Sequence, residues 1–170
     1  MACNNVDSSS NVCIEDCYIS NGDDLIAIKS GWDEYGMRMA CPSVNITIRR
    51  VTGTTKTCSG IAFGSEVSGG ISNVHVEDIH VFNSSYGLRL KTAPGRGGYI
   101  TNITIVNITL THIKHAIVFT GDAGEHPPPL PLNSYFAPHN FSLVNNIVIR
   151  NCIGFHIKSP GRFWSIPESP

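Results

Sequence analysis

A short phrase recurs along the chain: an asparagine followed by apolar residues one and three positions later. Asn11-Val-Cys-Ile14, Asn45-Ile-Thr-Ile48, Asn73-Val-His-Val76, Asn102-Ile-Thr-Ile105 and Asn146-Ile-Val-Ile149 all carry it. The alternation has the period of two that a β-strand needs to send its apolar side chains to one face. Six residues past each asparagine stand Cys17, Val51, Ile79, Ile108 and Cys152, and eight past it Ile19, Gly53, Val81, Leu110 and Gly154. Successive asparagines are 34, 28, 29 and 44 residues apart, so the strand pattern stays fixed while the connections vary. That behaviour belongs to a solenoid.

In the first four copies a second apolar stretch follows: Leu25-Ile-Ala-Ile28, Gly60-Ile-Ala-Phe63, Gly87-Leu-Arg-Leu90 and Ala116-Ile-Val-Phe119. Each coil therefore carries several short strands. Helical repeats have similar periods, but these segments are rich in Val, Ile and Thr and are broken by Gly, Asn and Ser. The pattern predicts an all-β chain, a right-handed, single-stranded parallel β-helix whose inward side chains stack into one core. The recurrent asparagines belong at turns, where a short amide bonds neighbouring backbone. Residues 1–170 read as one partial β-helix domain. The Pro-rich stretch between Gly121 and Asn140 interrupts the repeat as a long surface loop, and the segment from Phe155 to Pro170 shows no second apolar strand.

Composition narrows the classes of function. The formal net charge is -1 with 15% charged residues, so the whole-molecule field recruits neither nucleic acid nor anionic lipid. No run approaches the ~20 apolar residues of a membrane span, and the first residues lack the basic and apolar regions of a signal peptide. The six cysteines fall outside zinc-site spacings, which predicts no metal. Nucleophile-elbow, zinc-protease, phosphate-loop and dinucleotide motifs are absent from the sequence. Of five Asn-x-Ser/Thr sequons, those at Asn45 and Asn102 fall on the ladder, leaving Asn83, Asn107 and Asn140 better placed for a glycan.

Stacked coils lie ~4.8 Å apart, so residues of equal phase become neighbours. Aligning the second strands puts Asp24, Ser59, Tyr86 and His115 in one column. Ala27, Ala62, Arg89 and Val118 form the next, and Lys29, Gly64, Lys91 and Thr120 a third. Asp23 and Asp24 follow Asn21-Gly22 and alone would read as a solvated turn. One coil from the Ser59 hydroxyl and two from Arg89 and Lys91, they read instead as an acid/base centre beside cations. Arg89 and Lys91 alternate with leucines and so point outward together, as a binding pair or as solvated charges. Arg96, in Gly95-Arg-Gly-Gly98, either adds a third cation to the groove or rides a flexible loop. Glu66 either accepts from sugar hydroxyls or caps a polar loop tip. His115 either binds such hydroxyls or is packed or solvated.

Three ordered segments carry a resemblance. Ser20-Asn-Gly-Asp-Asp-Leu-Ile-Ala-Ile28, Ser59-Gly-Ile-Ala-Phe-Gly-Ser-Glu66 and Leu88-Arg-Leu-Lys-Thr92 are similar to the motifs of polygalacturonases, family 28 of the glycoside hydrolases, which share the pectin-lyase-like solenoid. Trp32-Asp33-Glu34, Gly64-Ser-Glu-Val-Ser-Gly-Gly70 and Gly95-Arg-Gly-Gly98 look like the plant and exo-acting branch. The resemblance implies hydrolysis of the α-1,4 links of galacturonan with inversion and without cofactor. Asp23 then matches the general acid, Asp24 a carboxylate that activates water, and Arg89 and Lys91 the pair that holds the substrate's carboxylate. The implied partner is pectic polysaccharide, bound by a monomer, and the implied location of the parent family is secreted, at the cell wall.

Two departures stand out. The family's Asn-Thr-Asp motif should precede Asp7, and Ala2 takes the place of its aspartate. Ser59 fills the position of the histidine in Gly-His-Gly. With the first coils also missing, the expectation is a chain truncated at its N-terminus. A catalytically inactive pectin-binding β-helix and a calcium-dependent pectate lyase are the competing readings.

Overall fold

Each recurring asparagine turns the chain. In the computed structural model, which describes residues 4–124 and 140–166, Asn11, Asn45, Asn73, Asn102 and Asn146 have φ between 50 and 57°. Asparagine enters this left-handed region more readily than most residues, because its short amide bonds locally. The amides also bond one another from coil to coil: Asn45 donates to Asn11 at 3.2 Å, Asn102 to Asn73 at 3.2 Å and Asn146 to Asn102 at 2.7 Å.

A second ladder runs five residues further on, where Asp16, Arg50, Asp78, Asn107 and Asn151 are also left-handed, with φ between 51 and 57°. Asn107 donates to Asp78 and Asn151 to Asn107, each at 3.1 Å. Asn107 is thus a turn residue with both faces of its amide engaged, which corrects its expected place among the favoured sequons.

Between these turns run β1 (Asn4–Asp7), β2 (Ser10–Asn21), β3 (Ile26–Lys29), β4 (Ser43–Thr55), β5 (Ser59–Phe63), β6 (Ile71–Lys91), β7 (Tyr99–Thr120), β8 (Leu143–Phe155) and β9 (Ser159–Trp164). Every pairing is parallel. Strand makes up 68% and helix 5% of the structure, a right-handed parallel β-helix as the repeat predicts.

One wall stacks β2, β4, β6, β7 and β8, with Val12, Ile46, Val74, Ile103 and Ile147 in register. The other stacks β1, β3, β5, the second half of β6, the second half of β7, and β9. Ile26, Ile28, Ile46, Ile48, Ile61, Leu88, Ile103 and Ile105 are at most 1% exposed in the core between the walls. Burying one such side chain is worth about 1.5–3 kcal/mol.

Two elements depart from expectation. Strand β9 exists although Ser-Pro-Gly-Arg-Phe-Trp shows no apolar alternation, because backbone bonding to β7 in the register His115–Ser159 and Phe119–Phe163 defines it. A short helix, α1 (Asp33–Met39), leaves the coil after β3, with Asp33 and Glu34 in its first turn and Arg38 in its last, the favourable order for its dipole. Residues 125–139, most of the expected Pro-rich loop, lie outside the described residues, as does Ala2.

Candidate active site

The second wall carries the columns that the alignment predicts. Ser59, Tyr86, His115 and Ser159 are in register, as are Ala62, Arg89, Val118 and Arg162, and Lys91, Thr120 and Trp164. Strand β1 extends the wall by one coil, with Asn5 beside Ala27 and Asp7 beside Lys29.

Asp24 is 5% exposed and fully engaged. Its Oδ2 accepts from Lys91 Nζ at 2.8 Å, and its Oδ1 accepts from the Ser59 backbone N–H at 2.8 Å. These bonds suit a carboxylate, which only accepts. Asp23 is exposed, and its Oδ1 accepts from the Asp24 backbone N–H at 2.7 Å. One carboxylate therefore faces solvent and the other sits beneath it, held by an ammonium group. Ser59 presents its backbone to Asp24, while its buried hydroxyl has no partner among the described residues.

Cys58, one residue before Ser59, completes the turn. Burial pushes its thiol up, and bonding to Asp23 adds to the shift. One ligand atom from each of Asp23, Asp24 and Cys58 lies within 4.8 Å of the others. Both oxygens of Asp24 already have donors, so this cluster does not offer a free set of ligands.

Arg89 lies over the Tyr86 ring at 4.5 Å, and Tyr86 stacks on His115 with ring centroids 5.2 Å apart. Arg89 Nε is buried and has no partner among the described residues, so the guanidinium is placed but uncommitted. His115 shares the register of Tyr86 and lines a cleft with Arg89.

Glu66 and Arg96 are placed differently. Lys29 Nζ donates to Glu66 Oε1 at 2.9 Å, so the acid at the loop tip is half of an ion pair. Burial pushes Glu66 upward, but the bond and charge of Lys29, with smaller help from the Ser65 hydroxyl, outweigh it and hold the carboxyl below its ordinary range. A depressed folded pKa stabilises the fold above the unfolded value and loses that contribution as pH falls through the folded one. Glu66→Gln is therefore expected to lower stability at neutral pH, and the gap from wild type should close as pH drops below about 4.3. Urea midpoints measured across that range would check it.

Arg96 does not reach the groove. Its side chain is fully buried and bonds Asp33 Oδ1 at 2.6 Å, the Ala123 carbonyl at 3.0 Å, and lies 5.9 Å from the Trp32 ring centre. The Gly-rich loop folds inward against α1 and not outward over the second wall. Arg162, outside the columns expected from the sequence, does reach the wall. Its signal was present: 44 residues separate it from Val118, the same step that separates Asn146 from Asn102.

Residues 3–127 match glycosyl hydrolases family 28. The chain belongs to that family. It is 40% identical over 166 residues to a probable polygalacturonase of Vitis vinifera, covering 98% of this chain and 33% of the relative. It is 36% identical over 122 residues to a polygalacturonase of Saccharomyces cerevisiae, covering 69% and 30%. The family-28 chain thus spans about a third of the length of these relatives. Its structure is similar to a hyperthermoactive exopolygalacturonase from Thermotoga maritima, with TM-score 0.68 and 25% identity over 95% of this chain and 42% of that one. A polygalacturonase from Erwinia carotovora shares the fold at TM-score 0.63 and 22% identity, over 98% and 45% of the two chains.

Proposed function

We propose that this family-28 chain hydrolyses α-1,4 links between galacturonic acids in pectin, through Asp23 and Asp24. The observation that carries this is the placement of an exposed Asp23 directly on an engaged Asp24 that Lys91 holds, with Arg89 two residues before Lys91 on the same strand. Family membership supports the substrate.

In this reading Asp23, reachable from solvent, gives a proton to the leaving glycosidic oxygen. Asp24, held as an acceptor by Lys91 and the Ser59 N–H, takes the proton of the attacking water. Arg89 holds the substrate's carboxylate through its planar fork. Lys91 has three donors and spends one on Asp24, so others remain for the same carboxylate. The protein acts as a monomer without cofactor, at the cell wall where its substrate lies.

Inversion rests on the family resemblance. One oxygen of Asp23 and one of Asp24 lie within 4.8 Å, closer than the spacing of about 6.5–9.5 Å between the carboxyl groups of most inverting enzymes. Proton NMR of the first-formed anomer separates the outcomes.

The test of the reaction itself is reducing-end release from polygalacturonate by the 170-residue chain, with ultraviolet absorbance followed in parallel. Reducing ends without absorbance support the hydrolase. Calcium-dependent absorbance would make it a lyase, and binding without product a pectin-binding β-helix.

A further inference from the structure

Arg89 has a counterpart. In the register of the second wall Arg89 pairs with Val118 and Val118 with Arg162, so the two arginines share one outward column with a single coil between them. Their separation is two strand spacings, about 9.6 Å. Both guanidinium groups lie over aromatic rings, Arg89 over Tyr86 at 4.5 Å and Arg162 over Trp164 at 4.7 Å. A guanidinium laid on a ring keeps its in-plane N–H fork free for a carboxylate. Neither arginine is in an ion pair among the described residues. One cleft has Arg89, His115, Asp122 and Arg162 in its lining.

We infer that Arg162 is a second carboxylate-binding residue for the same polyanionic chain, which lies across the strands from Arg89 towards β9. This rests on the proposed galacturonan reading and extends it along the wall. A pyranose residue advances a polysaccharide by roughly one strand spacing, so a sugar held at Arg89 puts a carboxylate about two sugars farther on at Arg162. The coil between them carries no cation at this position. It carries Val118, and Asp122, whose carboxylate accepts from the Thr120 hydroxyl, stands on the cleft wall. The middle sugar therefore presents hydroxyls here and turns its carboxylate to solvent. The order cation, anion, cation reads the phase of the substrate as well as its charge.

The test measures affinity for oligogalacturonates of increasing length by calorimetry, in the wild-type chain, Arg162→Gln and Arg89→Gln. Arg162 is exposed, so its replacement should leave the fold intact, as circular dichroism would verify. Arg162→Gln is expected to bind the shortest oligomers as wild type does and to lose about tenfold for longer ones, the scale of one charge-assisted contact. Fully methyl-esterified oligomers of the same lengths should show no such difference. If Arg162→Gln matches wild type at every length while Arg89→Gln loses affinity, the second site is refuted and the galacturonan reading stands. If wild type binds no oligogalacturonate, both are overturned.

Discussion

Asp23→Asn is expected to reduce the release of reducing ends from polygalacturonate by about 10²–10⁴-fold, the usual contribution of a positioned acid. The substitution is close to isosteric, and the bond to the backbone survives. Asp23 Oδ1 accepts from the Asp24 backbone N–H at 2.7 Å, and an asparagine carbonyl accepts equally well. The exposed position imposes little packing cost. Loss of activity with an unchanged urea midpoint would therefore report on the proton and not on the fold. Asp24→Asn is a poorer probe, because both oxygens of Asp24 accept from donors. An amide there must turn its NH₂ toward either Lys91 or the Ser59 N–H, leaving a buried donor unsatisfied at a cost of about 1–3 kcal/mol. Its inactivity would mix stability with chemistry. Retention of activity within a few-fold in Asp23→Asn would remove Asp23 from the reaction.

The walls were legible in the sequence because a parallel β-helix converts sequence phase into spatial adjacency. Once the asparagines are aligned, Ser59, Tyr86 and His115 must share a column, and so must Ala62, Arg89 and Val118. The second ladder was harder to see because its members are chemically mixed: Asp16, Arg50, Asp78, Asn107 and Asn151 share a backbone conformation and no side-chain type. Strand β9 was missed because Phe163 and Trp164 are 68% and 49% exposed, so the strand is set by backbone pairing that hydropathy does not record. Arg96 was misplaced for a different reason. Glycines around it announce a bend without giving its direction, and what draws the side chain inward is α1, seven residues long and too short for a helical period to show.

That inward bend underlies the other large effect. Asp33→Asn is expected to destabilise the fold by about 3–5 kcal/mol, because it removes a counter-charge at 2.6 Å from a guanidinium that cannot reach water. The side chains of Arg96 and Asp33 are 0% and 6% exposed and meet at 2.6 Å. Asparagine tolerates the left-handed backbone of Asp33, φ 45°, so the loss reports on charge and not on strain. By contrast Glu34→Gln, which removes the Glu34–Arg38 pair with Arg38 69% exposed, should fall within the fraction of a kcal/mol typical of surface pairs, about 0.3–0.5. The consequence extends to the site. The Arg96 loop follows directly on β6, whose last residue is Lys91, and is fastened again where Thr92 and Ser142 hydroxyls meet at 2.6 Å and Gly95 N–H donates to the Asn140 carbonyl at 2.9 Å. If the buried pair fixes the end of that strand, Asp33→Asn should weaken binding of oligogalacturonate along with stability, through the displaced Lys91. A drop in the urea midpoint with affinity unchanged would confine the pair to folding, and an unchanged midpoint would show that Arg96 finds its compensation elsewhere.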